Sequence, residues 1–84
     1  MQYEYKTKGT CSRSILFDIE DGIVKNVSFL GGCHGNLQGI SVLAEGADAQ
    51  TLIEKLSGIR CGMKPTSCPD QLAQALKEAL NQNA

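Results

Sequence analysis

The sequence predicts an α+β fold: a three-stranded antiparallel sheet packed by about three helices. Two observations carry this. In the first third of the chain apolar residues recur at every second position, the pattern of a half-buried strand. After the glycine-rich stretch at 31–35 they recur at steps of three and four, the pattern of one helix face. The resulting order, βββααα, suits an antiparallel sheet with helices on one face. The chain has 84 residues and reads as one domain over 1–84, a size at which the core alone is marginal.

Taken in order, Tyr3, Tyr5 and Thr7 alternate with Glu4, Lys6 and Lys8 in the first run. Ile15, Phe17 and Ile19 alternate with Leu16, Asp18 and Glu20 in the second. Ile23, Lys25, Val27 and Phe29 form one face of the third, and Asp21-Gly22 between them is a two-residue hairpin signal. "GNLQGISVLAEG" places Leu37, Ile40 and Ala44 on one helical side with Leu43 adjoining, although Gly39 weakens it. "DAQTLIEKLSG" has Asp48 as N-cap, Leu52, Ile53 and Leu56 as a face, and Gly58 as a stop. The clearest helix covers 69–82, with the stripe Leu72, Ala75, Leu76, Ala79 and Leu80. Pro69 suits its first helical position, and Asp70 suits the positive end of its dipole.

Composition excludes several function classes. The net charge is −1 with acids and bases interspersed, so there is no basic face for nucleic acid. No apolar run approaches a membrane span, and "MQYEYKTK" has no apolar signal core. A cytoplasmic protein is expected. In that reducing compartment four cysteines are ligands or redox groups rather than structural disulfides.

Cys11, Cys33, Cys61 and Cys68 all fall at the ends of predicted elements or in loops. Such placement lets separate segments converge on one point, whereas a cysteine used as a small hydrophobe sits on an apolar stripe. Cys68 caps the last predicted helix, where free backbone N–H groups and the helix dipole favour a thiolate. Gly31, Gly32 and Gly35 let the backbone turn sharply around Cys33. Lys8, Arg13, Arg60 and Lys64 lie near cysteines in sequence and could offset thiolate charge, or could be ordinary surface cations. No pair has C-x-x-C spacing. Three readings stay open: a metal site, which placement and compartment favour, a redox-active or regulatory disulfide, and free thiols. Gly62 and Pro65 favour a turn that brings Cys61 back toward Cys68. His34, beside Cys33, reads as a loop histidine rather than a ligand.

"TSCPD" at 66–70 is the name-giving motif of the TSCPD domain family, which this sequence resembles over nearly its whole length in motif, cysteine spacing and size. Small stand-alone members are presumed metal-binding. The module also occurs near the C-terminus of the large chain of cobalamin-dependent ribonucleotide reductases, and through it nucleotide-binding or ribonucleoside-diphosphate reductase labels attach to the family. More distantly, "DGIVKNVSFLGGCHGNLQGISVLAEG" and "SCPDQLAQALKEAL" are similar to segments of NifU-like iron–sulfur scaffold proteins, implying a NifU-like scaffold topology. On that alignment Cys11, Cys33 and Cys68 occupy scaffold cysteine positions. Arg13 stands where scaffolds carry Asp, Ser67 where they carry His, and Cys61 is extra.

Three functions follow as expectations. The first is an accessory or interaction domain holding zinc, or alternatively an iron–sulfur cluster, through Cys11, Cys33, Cys61 and Cys68. The second is a ribonucleotide-reductase-related accessory that relays electrons through thiols or binds nucleotide. The third is a cluster scaffold. The matching partners are ribonucleotide reductase or the iron–sulfur machinery. No catalytic constellation or phosphate-binding loop is visible, and 84 residues cannot hold the reductase barrel, so enzymatic activity in isolation is not expected.

Overall fold

A computed structural model describes residues 2–10, 12–32 and 34–82, with only the backbone of His34 and Gln82. Strands β1 (Gln2–Lys6), β2 (Ser12–Glu20) and β3 (Ile23–Gly31) precede helices α1 (His34–Ala44), α2 (Ala49–Leu56) and α3 (Cys68–Gln82). The sheet is antiparallel in the order β1-β2-β3. The expected α+β architecture is therefore present. No described helix is long and apolar enough to cross a membrane.

The β2–β3 hairpin closes with Glu20 opposite Ile23. Its two loop residues, Asp21 and Gly22, have φ of 52° and 79°. Positive φ at both centres is the turn whose twist matches paired strands, and the Asp-Gly pair tolerates it. Asp48 caps α2 by accepting from the Thr51 backbone N–H at 2.9 Å.

α3 lies against the sheet with Leu72, Ala75, Leu76 and Ala79 in the core, among Ile15, Phe17, Ile19 and Val24. Ala73 and Gln71 are buried as well, so the buried face is wider than the apolar stripe. Tyr3 stacks on Phe17, with ring centroids 5.4 Å apart. Ile53 of α2 and Ala44 of α1 complete the cluster. The connection between α1 and α2 pairs with the start of β3: Val24 N–H donates to Ala47 O at 2.8 Å, and Gly46 N–H to Val24 O at 2.8 Å. Part of the outer edge of β3 is thereby covered, which blunts an otherwise open template for pairing.

Two expectations change in detail. The face of the third strand is not a simple alternation, because Val24 is fully buried and Asn26 is exposed with φ of 57°. Between the pairs Leu16↔Ser28 and Asp18↔Lys25, β3 carries one residue more than β2. This bulge resets the phase, so Val24 faces inward before it and Val27 after it. Asn26 is held there from both ends: its N–H donates to Glu45 Oε1 at 2.8 Å, and its Nδ2 to Asp18 Oδ2 at 2.9 Å. Leu43, expected beside the apolar face of α1, is instead 80% exposed, and Val42 beside it is 68% exposed.

Replacing Asn26 with Val puts a β-branched residue in the left-handed region. The expected cost is about 1–3 kcal/mol, read as a lower urea midpoint with an unchanged slope. Asn26→Gly should cost less, because glycine adopts this φ freely.

Candidate functional site

The first turn of α3 is where distant segments meet. Ser67, not Cys68, is its cap: the Asp70 N–H donates to Ser67 Oγ at 3.2 Å, and Gln71 N–H donates to Ser67 O at 2.8 Å. Cys68 is thus the first helical residue and Pro69 the second, one position later than the sequence reading placed them. Neither position needs a proline N–H, since the first-turn donors have no helical acceptors.

Around this turn runs a hydrogen-bond chain with one direction. Lys8 N–H donates to Gln71 Oε1 at 3.0 Å, and Gln71 Nε2 donates to Thr66 Oγ1 at 3.1 Å. Thr66 Oγ1 in turn donates to Asp70 Oδ2. A backbone N–H can only donate, which fixes the orientation of the Gln71 amide. Asp70 also accepts from Gly58 N–H at 2.7 Å and from Gln74 Nε2 at 2.8 Å. Ser67 Oγ donates to Ile59 O. The loop before β2 and the segment after α2 are thereby both tied to the start of α3.

Asp70 lines one wall of an open cleft shared with Tyr5, Ser57, Gln74, Lys77, Glu78 and Asn81. Burial alone would raise its pKa. The bonds from Thr66, Gly58 and Gln74, with the Lys77 charge, outweigh it and hold the carboxyl below the usual carboxylate range. Across the cleft the Tyr5 hydroxyl is pushed up, first by burial and then by the negative charges of Glu78 and Asp70.

Cys68 is buried beside Ser12, with Ser12 Oγ 3.2 Å from Cys68 Sγ. Ser12 reaches that place through a second bulge, this one in β2. Ser12 pairs with Gly31 and Ser14 with Leu30, so Arg13 is the extra residue. Strict alternation would put Ser12 on the face opposite Ile15 and Phe17; the inserted residue returns it to the helix side while Arg13 is exposed. At the end of β3, Gly31 and Gly32 both have positive φ, 83° and 85°, and the chain bends at Gly32.

Cys61 is exposed. Lys64 N–H donates to Cys61 O at 3.0 Å and Cys61 N–H to Thr66 O at 3.2 Å. The stretch 61–66 therefore doubles back as Gly62 and Pro65 suggested, bringing the Cys61 backbone to the residue two before Cys68. Cys11 and Cys33 lie outside the described residues, as does the side chain of His34. Among the described residues no group of three His, Cys, Asp or Glu side chains is placed to hold a metal ion. Lys8, Arg13, Arg60 and Lys64 are all exposed.

The family model for the TSCPD domain matches residues 1–80. The chain belongs to the TSCPD domain family. No curated protein and no solved structure matches it. In this TSCPD domain the motif residues divide their tasks. Thr66 and Asp70 knit the loops, Ser67 caps the helix, and Cys68 presents a sulfur at its start. The sequence reading missed Ser12, Thr66 and Gln71. The spacing Ser67-x-x-Asp70 was a legible sign that the cap is Ser67.

Thr66→Val keeps the shape and removes the link between Gln71 and Asp70. It should cost about 1–3 kcal/mol by chemical denaturation, and Thr66→Ser should recover most of it. Asp70 carries a pH signature. Its folded pKa is depressed, so its stabilisation is complete above the unfolded value of about 3.9 and is lost as pH falls through the lower folded value. The stability deficit of Asp70→Asn should be flat above roughly pH 5 and shrink below roughly pH 4. A deficit that is independent of pH down to acid unfolding would remove the charge from this account.

Proposed function

We propose that this TSCPD domain is a small accessory module that binds a metal through Cys11, Cys33, Cys61 and Cys68, as zinc or alternatively as an iron–sulfur cluster. One observation carries the reading: the Cys68 sulfur lies 3.2 Å from the hydroxyl of Ser12, the residue after Cys11, and Ser12 is paired with Gly31, two residues before Cys33. Consecutive Cα atoms are about 3.8 Å apart, so three cysteine-bearing segments end near one point. The turn at 61–66 holds the Cys61 backbone against Thr66 O, two residues before Cys68, which supports counting Cys61 as the fourth donor. The donor set fits the group, because four thiolates suit tetrahedral zinc or an iron–sulfur centre. When bound, such a closed site supplies binding free energy to the fold rather than an open coordination position.

The module would work in a reducing, cytoplasmic setting where thiolates persist. Its action would come through a protein partner, with ribonucleotide reductase or the iron–sulfur machinery the candidates that the family resemblance offers.

Elemental analysis and absorption spectra of protein purified anaerobically, without added metal, test this. Colourless protein with one zinc per chain is the expected result; a brown protein assigns a cluster. Cys33→Ser and Cys68→Ser should each lose most of the metal, and Cys33→Ser or a strong chelator should lower the melting temperature sharply. Structural zinc sites contribute roughly 10–16 kcal/mol of apparent binding free energy, so the shift should be large. Metal-free protein with four freely reactive thiols and an unchanged melt would falsify the reading.

A further inference from the structure

We propose that Ser12, backed by Thr10, is a positioning residue for the Cys68 sulfur: its hydroxyl donates to that sulfur and fixes its direction without being a ligand itself. The inference rests on the metal-binding reading above. Ser12 Oγ is 3.2 Å from Cys68 Sγ, and both residues are buried. A sulfur bound to a metal is a thiolate and can only accept a hydrogen bond, so the one proton on Ser12 Oγ points at Cys68.

The lone pairs of Ser12 Oγ then face Thr10, whose Oγ1 is 3.1 Å away. The other acceptor for Thr10, the Ser12 carbonyl, is longer at 3.4 Å and already accepts from Thr7 Oγ1. The proton count therefore runs one way, from Thr10 to Ser12 to Cys68. The β2 bulge turns the Ser12 side chain to the helix side, and bulges beside functional sites commonly re-aim one side chain in this way.

A donated hydrogen bond draws charge from the sulfur and holds its lone pairs in place. Partners of this kind are worth about 10- to 100-fold in metal affinity.

The test loads reduced, anaerobic protein with Co²⁺ as the probe. Ser12→Ala should bind about 10- to 100-fold more weakly. Its sulfur-to-cobalt charge-transfer band should move to longer wavelength, because the sulfur becomes more electron-rich. Iodoacetamide should alkylate Cys68 faster in the loaded variant, as read by mass spectrometry of the modified peptide. Ser12→Thr, which keeps the hydroxyl, should restore the band and the alkylation rate, and Thr10→Val should give a smaller shift in the same direction. A band and affinity unchanged in Ser12→Ala overturn the hydroxyl relay and leave the metal-binding reading standing. Wild-type protein that binds no cobalt overturns both. If Ser12→Ala fails to fold, Thr10→Val decides, and a wild-type spectrum there overturns the relay.

Discussion

The arrangement at the head of α3 depends on the carboxylate of Asp70. It ends the chain of hydrogen bonds that begins at the Lys8 N–H, and it receives the Gly58 N–H and the Gln74 amide besides. Backbone donors drawn in beside a helix start must be satisfied, and the helix has no spare carbonyls there. An ionised acceptor at this position takes several donors at once and makes stronger bonds than a neutral one. Because the bonds point the same way, each polarises the next. Removing the charge would weaken the acceptor that segments far apart in sequence share, at a residue that is itself buried.

The strands and helices were legible because their patterns are local. Ile15, Phe17 and Ile19 alternate as a strand facing a core does, and Leu72, Leu76 and Ala79 repeat as a helix face does; the buried set contains all of them. The bulges were not legible. A bulge is a mismatch in count between two strands, and it exists only once they pair. Single-strand alternation therefore put Val24 on the wrong face of the third run and could not say which way Ser12 points. Asn26 did leave a trace, since Asn is among the few residues that accept positive φ, but that signal alone does not locate an extra residue.

The site shows the same division. That Cys68 stands at the head of the last helix and Cys61 in the connection before it could be read from order and spacing alone. That Gln71, Asp70 and Ser67 bond to residues 8, 58 and 59 could not, because those partners arrive only through the tertiary fold. Sequence reasoning saw Asp70 as a charge suited to a helix dipole. The structure gives it a larger task, and the dipole becomes the lesser part of it.

This division separates the fold from the proposed site. The apolar core runs through the middle of the sheet and the body of α3, while the Ser12 hydroxyl and the Cys68 sulfur meet at the start of β2 beside the first helical turn. The hydrogen-bond chain already orders two of those segments, so a metal ion would not have to collapse open loops around itself. In a classical zinc finger the ion substitutes for a core, and the chain is unfolded without it. Here a core and a clamp exist beside the site. Binding would then stabilise by mass action on a largely prepared state, and the cost of ordering, which ordinarily weakens binding, would fall mainly on the short turns that carry the remaining thiolates. An end ordered in this way would suit the proposed structural ion better than a ligand that must come and go.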